Sequence, residues 1–104
     1  MAQEIPGAHL LAEIGQKILL NRGSEVLICR GVGDPLWDLP GGRLHINEDP
    51  KEGLKREIRE ELGIEVFVEG PFEVATWYGA KSGVPRFFVV YGATMQNESD
   101  TIIL

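Results

Sequence analysis

Cysteine is almost absent from this chain: Cys29 is the only one in 104 residues, so no internal disulfide can form. It closes the apolar run Val26-Leu27-Ile28-Cys29 and reads as a packed strand thiol in a reducing compartment. Long apolar runs are missing too, and nothing approaches the roughly 18 residues that a membrane-spanning helix needs. Residues Met1 to Pro6 carry Glu4 and lack a basic segment followed by an apolar one, so no export signal is read there. A soluble, unexported, cytoplasmic protein with no membrane partner is expected. Basic residues are scarce: 10 Lys and Arg stand against 16 Asp and Glu, a formal net charge of -6. This balance argues against a nucleic-acid polymer as partner, because such proteins present a basic face. It also repels small phosphorylated ligands, so any phosphate chemistry here requires cations, either metal ions or a few well-placed arginines.

What is present suffices for one domain spanning residues 1–104, with a modest core and therefore one site. Residues Leu10 to Leu20 are largely apolar and suit one long strand or two short ones. Asn21-Arg22-Gly23-Ser24 then reads as the turn of a hairpin, joining Ile18-Leu19-Leu20 to a strand from Glu25 to Arg30, because Asn and Gly tolerate positive φ. Trp37 to Leu39 is a short extended piece, followed by a second turn at Pro40-Gly41-Gly42. Asp49-Pro50 supplies an N-cap and a first-turn proline. Leu54, Ile58 and Leu62 follow at spacings of four and Gly63 supplies the C-terminal cap, giving a helix over 50–62. Three strand candidates follow, Ile64 to Val68, Phe72 to Tyr78 and Arg86 to Ala93, and Thr101 to Leu104 read as the start of another. There is no repeat or low-complexity stretch.

The helix carries an unusual set of charges. At about 100° per residue, with Glu57 as zero, Glu60 falls near 300° and Glu61 near 40°. Leu54, Ile58 and Leu62 fall between about 60° and 140°. Three carboxylates therefore share an arc beside the apolar stripe. Lys51, Lys55 and Arg59 lie farther round, so the acidic patch is read as poorly neutralised by its own helix. Like charges at these spacings cost a few tenths of a kcal/mol each, and carboxylates in the last turn oppose the helix dipole. A solvated charged face is the plain alternative. Several local rules broken together mark a functional site instead, and grouped hard oxygen ligands suit Mg²⁺ or Mn²⁺, which also bind substrate phosphates.

The stretch Gly42-x5-Glu48-x7-Arg56-Glu57-Ile58-x-Glu60-Glu61-x-Gly63-Ile64 matches every fixed position of the Nudix box, G-x5-E-x7-R-E-U-x-E-E-x-G-U with U aliphatic. The chain thus closely resembles a Nudix hydrolase of the MutT type, and the preceding Trp37-Asp38-Leu39-Pro40-Gly41 fits as well. The resemblance implies an α+β fold, a mixed β-sheet sandwich carrying the box as loop, helix and loop. It implies hydrolysis of a phosphoanhydride bond in a small nucleoside diphosphate derivative, with Mg²⁺ or Mn²⁺ as cofactor. Glu57, Glu60 and Glu61 are then expected as metal ligands or their immediate partners, with the Gly41 carbonyl as a further ligand. Arg56 is expected to orient the helix carboxylates, and Glu48 to brace the loop or position the water.

The family usually adds a later carboxylate, and a further strand and second helix that this chain, ending at Leu104, does not show. Glu98 is the residue to which the base role carries over. Two readings stand for the short end: an incompletely represented form, or a minimal variant that covers an open edge by association, as in a homodimer. Outside the box, Arg30 is a candidate for a substrate phosphate and equally an ordinary strand-end arginine. Trp77 and Tyr78 lead the candidates for stacking on a base. His45 and Arg43 read as surface residues. The competing reading from a different class is a module that senses a nucleotide without turning it over.

Overall fold

The computed structural model describes residues 7, 9–79 and 81–102. Strand β1 runs unbroken through Glu13–Arg22, so the apolar stretch after Leu10 makes one strand. Its side chains alternate: Gln16, Ile18 and Leu20 are buried while Leu19 is exposed, the period-2 pattern of a sheet with one covered face. Strand β2, Glu25–Val26, pairs antiparallel with it. The hairpin expected from the sequence is present but tighter. Asn21 and Arg22 stay in β1, opposite Val26 and Glu25, leaving Gly23 and Ser24 as a two-residue turn. The strand expected to continue to Arg30 ends early because the chain leaves β1 after Leu27, and Cys29 instead bridges Asp38. Cys29 is half-buried against the core, as a packed thiol should be, and burial with the nearby Glu61 charge pushes its pKa up.

Strand β3, Gly41–Arg43, joins the same edge of β1, with Gly42 opposite Gln16 and Gly41 opposite Lys17. Helix α1, Pro50–Leu62, has the bounds expected from its caps. The Asp49 side chain accepts a hydrogen bond from the Glu52 amide, and Gly63 adopts φ 68° at the C-terminal end, where a left-handed residue closes the last turn. Strand β4, Val66–Trp77, pairs antiparallel with β5, Arg86–Met95, which in turn runs parallel to β1. The order β2-β1-β5-β4, with β3 beside β1, makes a mixed sheet in an α+β fold.

The sequence suggested two strands where β4 is one. Gly70 and Pro71 resemble a turn locally, but the sheet absorbs them as an irregularity: the register with β5 shifts between Glu69 and Glu73. A bulge is where a strand tolerates a residue without an N–H. Of the strand expected at the end, Thr101 and Ile102 belong to no element, and Ile103 and Leu104 lie outside the described residues.

The helix stripe Leu54, Ile58 and Leu62 is fully buried against Ile18, Leu20, Val66, Tyr91, Ala93 and Met95. Burying aliphatic side chains of this size stabilises the fold by about 1.5–3 kcal/mol each. The packing fixes which face of α1 meets the β3 edge. On the opposite face of the sheet Leu19 and Phe67 remain exposed. No helix among the described residues is long and apolar enough to cross a membrane.

Candidate active site

The site is built where β3 meets the exposed flank of α1; the turn expected at Pro40-Gly41-Gly42 is not formed, because Gly41 and Gly42 pair with Lys17 and Gln16 of β1 as strand. Gly42 lies so close to the Glu57 carboxylate that a Cβ there would overlap it. One step earlier, the Gly41 amide donates to Glu61 Oε2 at 3.4 Å. Residues 57 and 61 are one helical turn apart, so both carboxylates face the two glycines of β3. A second close approach occurs inside the helix, where a Cβ on the buried Gly53 would stand 2.5 Å from Glu48 Oε1. The absence of two side chains therefore lets Glu57 and Glu48 lie where they do.

Arg56 ties the group together. Its Nε and Nη2 donate to the two oxygens of Glu48 at 2.6 and 3.1 Å. Nη1 donates to Glu60 Oε2 at 3.1 Å and Nη2 to Glu57 Oε1 at 3.2 Å. Glu48 also accepts the His45 amide at 3.1 Å, which closes the loop before the helix. The paired arginine holds the Glu48 carboxyl down at about 2, and the same hydrogen bonds push the Arg56 pKa up. Glu61 moves the other way: burial raises its pKa, opposed by the Gly41 amide and the Lys17 charge. These contacts correct one expectation. The acidic patch is not left unneutralised by its helix, because Arg56, at about 260° on the same wheel, bends its long side chain into the carboxylate arc.

Among the described residues no three His, Cys, Asp or Glu side chains converge as a ready-made ion cage. The reason is Arg56, which spreads Glu57 and Glu60 to either side of its guanidinium. Glu60 is turned to solvent, with its side chain 62% exposed, while Glu57 and Glu61 face β3. The donor set nevertheless suits a hard divalent cation: Glu57 Oε2 and Glu61 Oε1 accept no hydrogen bond from the described residues, and the Gly41 peptide lies beside them. Such ions keep several waters and need only a few carboxylates.

The remaining sequence candidates separate. Arg30 is close, because it lines a cavity of about 380 Å³ shared with Lys17, Asp38 and Glu61, and its guanidinium stacks on Trp37 at 4.5 Å from the ring centre. Trp77 and Tyr78 are not brought to the carboxylates. Trp77 ends β4 and Tyr78 follows it, three strand spacings from β3, or about 14 Å. Glu98 sits exposed in the turn after β5, and its side chain makes no hydrogen bond with the described residues of the cluster, so the transferred base role finds no geometric support. Arg43 pairs with Glu13 at 3.1 Å at the surface. Sequence reading missed Gly53, Lys17 and Asp38. Lys17 Nζ and Asp38 Oδ2 meet at 2.9 Å across 21 residues, a contact without local signal, whereas a buried glycine inside an otherwise good helix was a visible anomaly.

Comparison with known proteins places this geometry in context. The NUDIX domain family matches residues 13–100. A putative 8-oxo-dGTP diphosphatase from Bacillus subtilis (strain 168) is 46% identical over 46 residues, covering 44% of this chain and 31% of that protein. An RNA pyrophosphohydrolase from Halorhodospira halophila is 41% identical over 58 residues, 56% of this chain and 29% of the relative. The aligned segments thus span under a third of either relative's length. Among solved structures, a UDP-X diphosphatase superposes with TM-score 0.77 at 22% identity over 94% of this chain and 48% of its own. A MutT NUDIX hydrolase from Burkholderia pseudomallei gives 0.73 at 26% identity, covering 89% and 75%.

Proposed function

The chain belongs to the NUDIX domain family, and from that premise we propose that it hydrolyses a phosphoanhydride bond in a nucleoside diphosphate linked to a further group, with Mg²⁺ or Mn²⁺ as cofactor. The observation that carries this reading is the pair Glu57 and Glu61 held against Gly41 and Gly42 of β3 by Arg56 and the Gly41 amide. Glu57, Glu61 and the Gly41 carbonyl would hold the ions, with Glu60 as the remaining carboxylate of the helix. Bound there, the ions would polarise the phosphoryl oxygens, acidify an attacking water and neutralise the departing phosphate.

The protein's own groups do the rest. Arg56 holds Glu57 and Glu60 apart in fixed directions, and Glu48, through both oxygens, fixes Arg56. The water oxygen bonds to phosphorus, the bridging P–O bond breaks with its electron pair leaving on the departing phosphate, and the water's proton passes to a carboxylate of the cluster. The relatives named as acting on 8-oxo-dGTP and on RNA and the UDP-X diphosphatase support pyrophosphate chemistry as the class.

The test is turnover of a panel of nucleoside diphosphate derivatives with and without Mg²⁺. We expect metal-dependent release of phosphate products, reduced about 10²-fold or more in Glu57→Gln and Glu61→Gln, which remove anionic charge at nearly constant volume. Tight binding of the panel without turnover in any metal would instead establish a nucleotide sensor.

A further inference from the structure

The inward-facing row of β1 reads Ile14, Gln16, Ile18 and Leu20, and one of the four is polar. Gln16 is 2% exposed and is the single buried polar side chain among the described residues. A buried amide is costly unless it is hydrogen-bonded, and it brings two N–H donors and an oxygen with two lone pairs. One bond is made: Nε2 donates to the Tyr91 hydroxyl at 3.4 Å. The amide oxygen accepts no hydrogen bond from the described residues. A leucine would fill the same space with no polar atom to satisfy, so the choice of glutamine calls for a partner.

The register says where that partner lies. Gln16 stands opposite Gly42 in the β1–β3 pairing, and side chains facing each other across such a pair leave the sheet about 5 Å apart. The space where a Gly42 Cβ would stand is filled by the Glu57 carboxylate, whose atoms come within 2.4–2.8 Å of that point. The Gln16 amide and the Glu57 carboxylate are thus neighbours on one face of the sheet, yet they make no direct hydrogen bond. A water bridges polar groups set apart in this way. Hard divalent ions keep several of their own waters, and those waters are strong donors that need acceptors. Arg56 already occupies one oxygen each of Glu57 and Glu60. The Gln16 oxygen is a free acceptor, and a neutral one, so it adds no charge to a crowded anionic cluster.

Resting on the ion site proposed above, we propose that Gln16 is a positioning residue: its amide, braced on Tyr91, accepts a hydrogen bond from a water coordinated to the ion at Glu57. The amide thereby fixes the direction of that water relative to the carboxylates.

The test is Mn²⁺ binding to the protein alone, read from the loss of the free ion's electron paramagnetic resonance signal, with melting curves recorded without metal. In Gln16→Leu the Mn²⁺ dissociation constant should rise about 10- to 100-fold, the usual cost of losing a group that orients a metal's ligands. That variant also strands the Tyr91 hydroxyl, so Gln16→Leu/Tyr91→Phe is measured beside it. Replacing both partners by apolar groups is nearly neutral for stability, and the double variant should melt close to the wild type while binding Mn²⁺ as weakly as Gln16→Leu. Tyr91→Phe alone keeps the amide and should keep most of the affinity. Turnover at saturating Mg²⁺ gives a second readout: both Gln16 variants should lose kcat with the nucleotide KM unchanged, because the amide meets a water and not the nucleotide. Wild-type Mn²⁺ affinity in the double variant overturns the inference and leaves the ion site intact. So does a Tyr91→Phe protein that binds as weakly as Gln16→Leu, since a merely structural pair predicts it, or a Gln16 variant whose only kinetic change is a raised KM. A wild-type protein that binds no Mn²⁺ overturns the ion site and the inference together. If no nucleotide turns over, the hydrolase reading fails and the Mn²⁺ titration alone decides the role of Gln16.

Discussion

Gly42→Ala is the sharpest small perturbation of this site. Gly42 does not have a positive φ, so alanine is permitted by the backbone and the whole effect comes from one methyl group. That methyl would lie 2.5 Å from Glu57 Oε2 and 2.8 Å from Oε1, and ordinary van der Waals separation requires the carboxylate to retreat by about 1 Å. Glu57 is the end of a flexible side chain, so the cost in stability sits at the low end of the overpacking range, about 1 kcal/mol. The cost to function is larger. Mg²⁺ demands nearly ideal geometry at about 2.0–2.1 Å, and a 1 Å misplacement is worth about 10²-fold in rate. We expect kcat to fall about 100-fold and the apparent Mg²⁺ constant to rise about tenfold, with the melting temperature lowered by a few degrees. The assay is initial rate against Mg²⁺ concentration for both proteins, with melting curves alongside. Wild-type kcat and Mg²⁺ dependence in Gly42→Ala would falsify the assignment of Glu57 as a ligand.

Other outcomes follow from the same contacts. Gly53→Ala in an exposed helix gains about 0.8–1 kcal/mol from propensity; here we expect no gain and a net loss in urea denaturation, since the new methyl meets Glu48 at 2.5 Å and Glu48 is pinned by Arg56. Glu48 has a folded pKa of about 2 against 4.5, so its stabilising contribution is complete above about 4.5 and is lost as pH falls toward 2. The melting temperature of the wild type should therefore drop more steeply between these pH values than that of Glu48→Gln, and parallel curves would refute the pairing. Ile58→Ala, in the fully buried stripe, should cost about 2–5 kcal/mol of unfolding free energy by denaturant titration.

Helix α1 was legible in the sequence to its last residue because every signal for it is local: the Asp49 cap, Pro50, the stripe Leu54-Ile58-Leu62 and the Gly63 stop. The strands were less so. Gly70-Pro71 has the chemistry of a turn, and only pairing with β5, some twenty residues away, turns it into a bulge. Glu25 to Arg30 has the composition of a strand throughout, yet β1 holds only its first two residues, because Asp38 competes for Cys29. At the site, the box pattern names Glu48, Arg56, Glu57 and Glu61. It does not say that Arg56 lies among the carboxylates, since a helical wheel records where a side chain starts and not where a long one ends. Lys17 and Asp38 were invisible for a different reason: neither is unusual in its own segment.

The position of Arg56 bears on how the site can exist before an ion arrives. Glu48, Glu57 and Glu60 would repel one another and α1 would carry Glu60 and Glu61 at its unfavourable end. One guanidinium hydrogen-bonded to three of them offsets that repulsion while using only one oxygen each of Glu57 and Glu60. Glu57 Oε2 and Glu61 Oε1 remain open to a ligand. The arrangement therefore keeps the ligands oriented without the ion and still leaves them anionic enough to attract it. Arg56→Lys should separate these roles, because a lysine keeps the charge but cannot hold Glu48 through two oxygens. We expect melting to fall only slightly, while kcat falls about tenfold or more as the carboxylates lose their fixed directions. Full activity in Arg56→Lys would mean that charge alone, and not the fork geometry, organises the site.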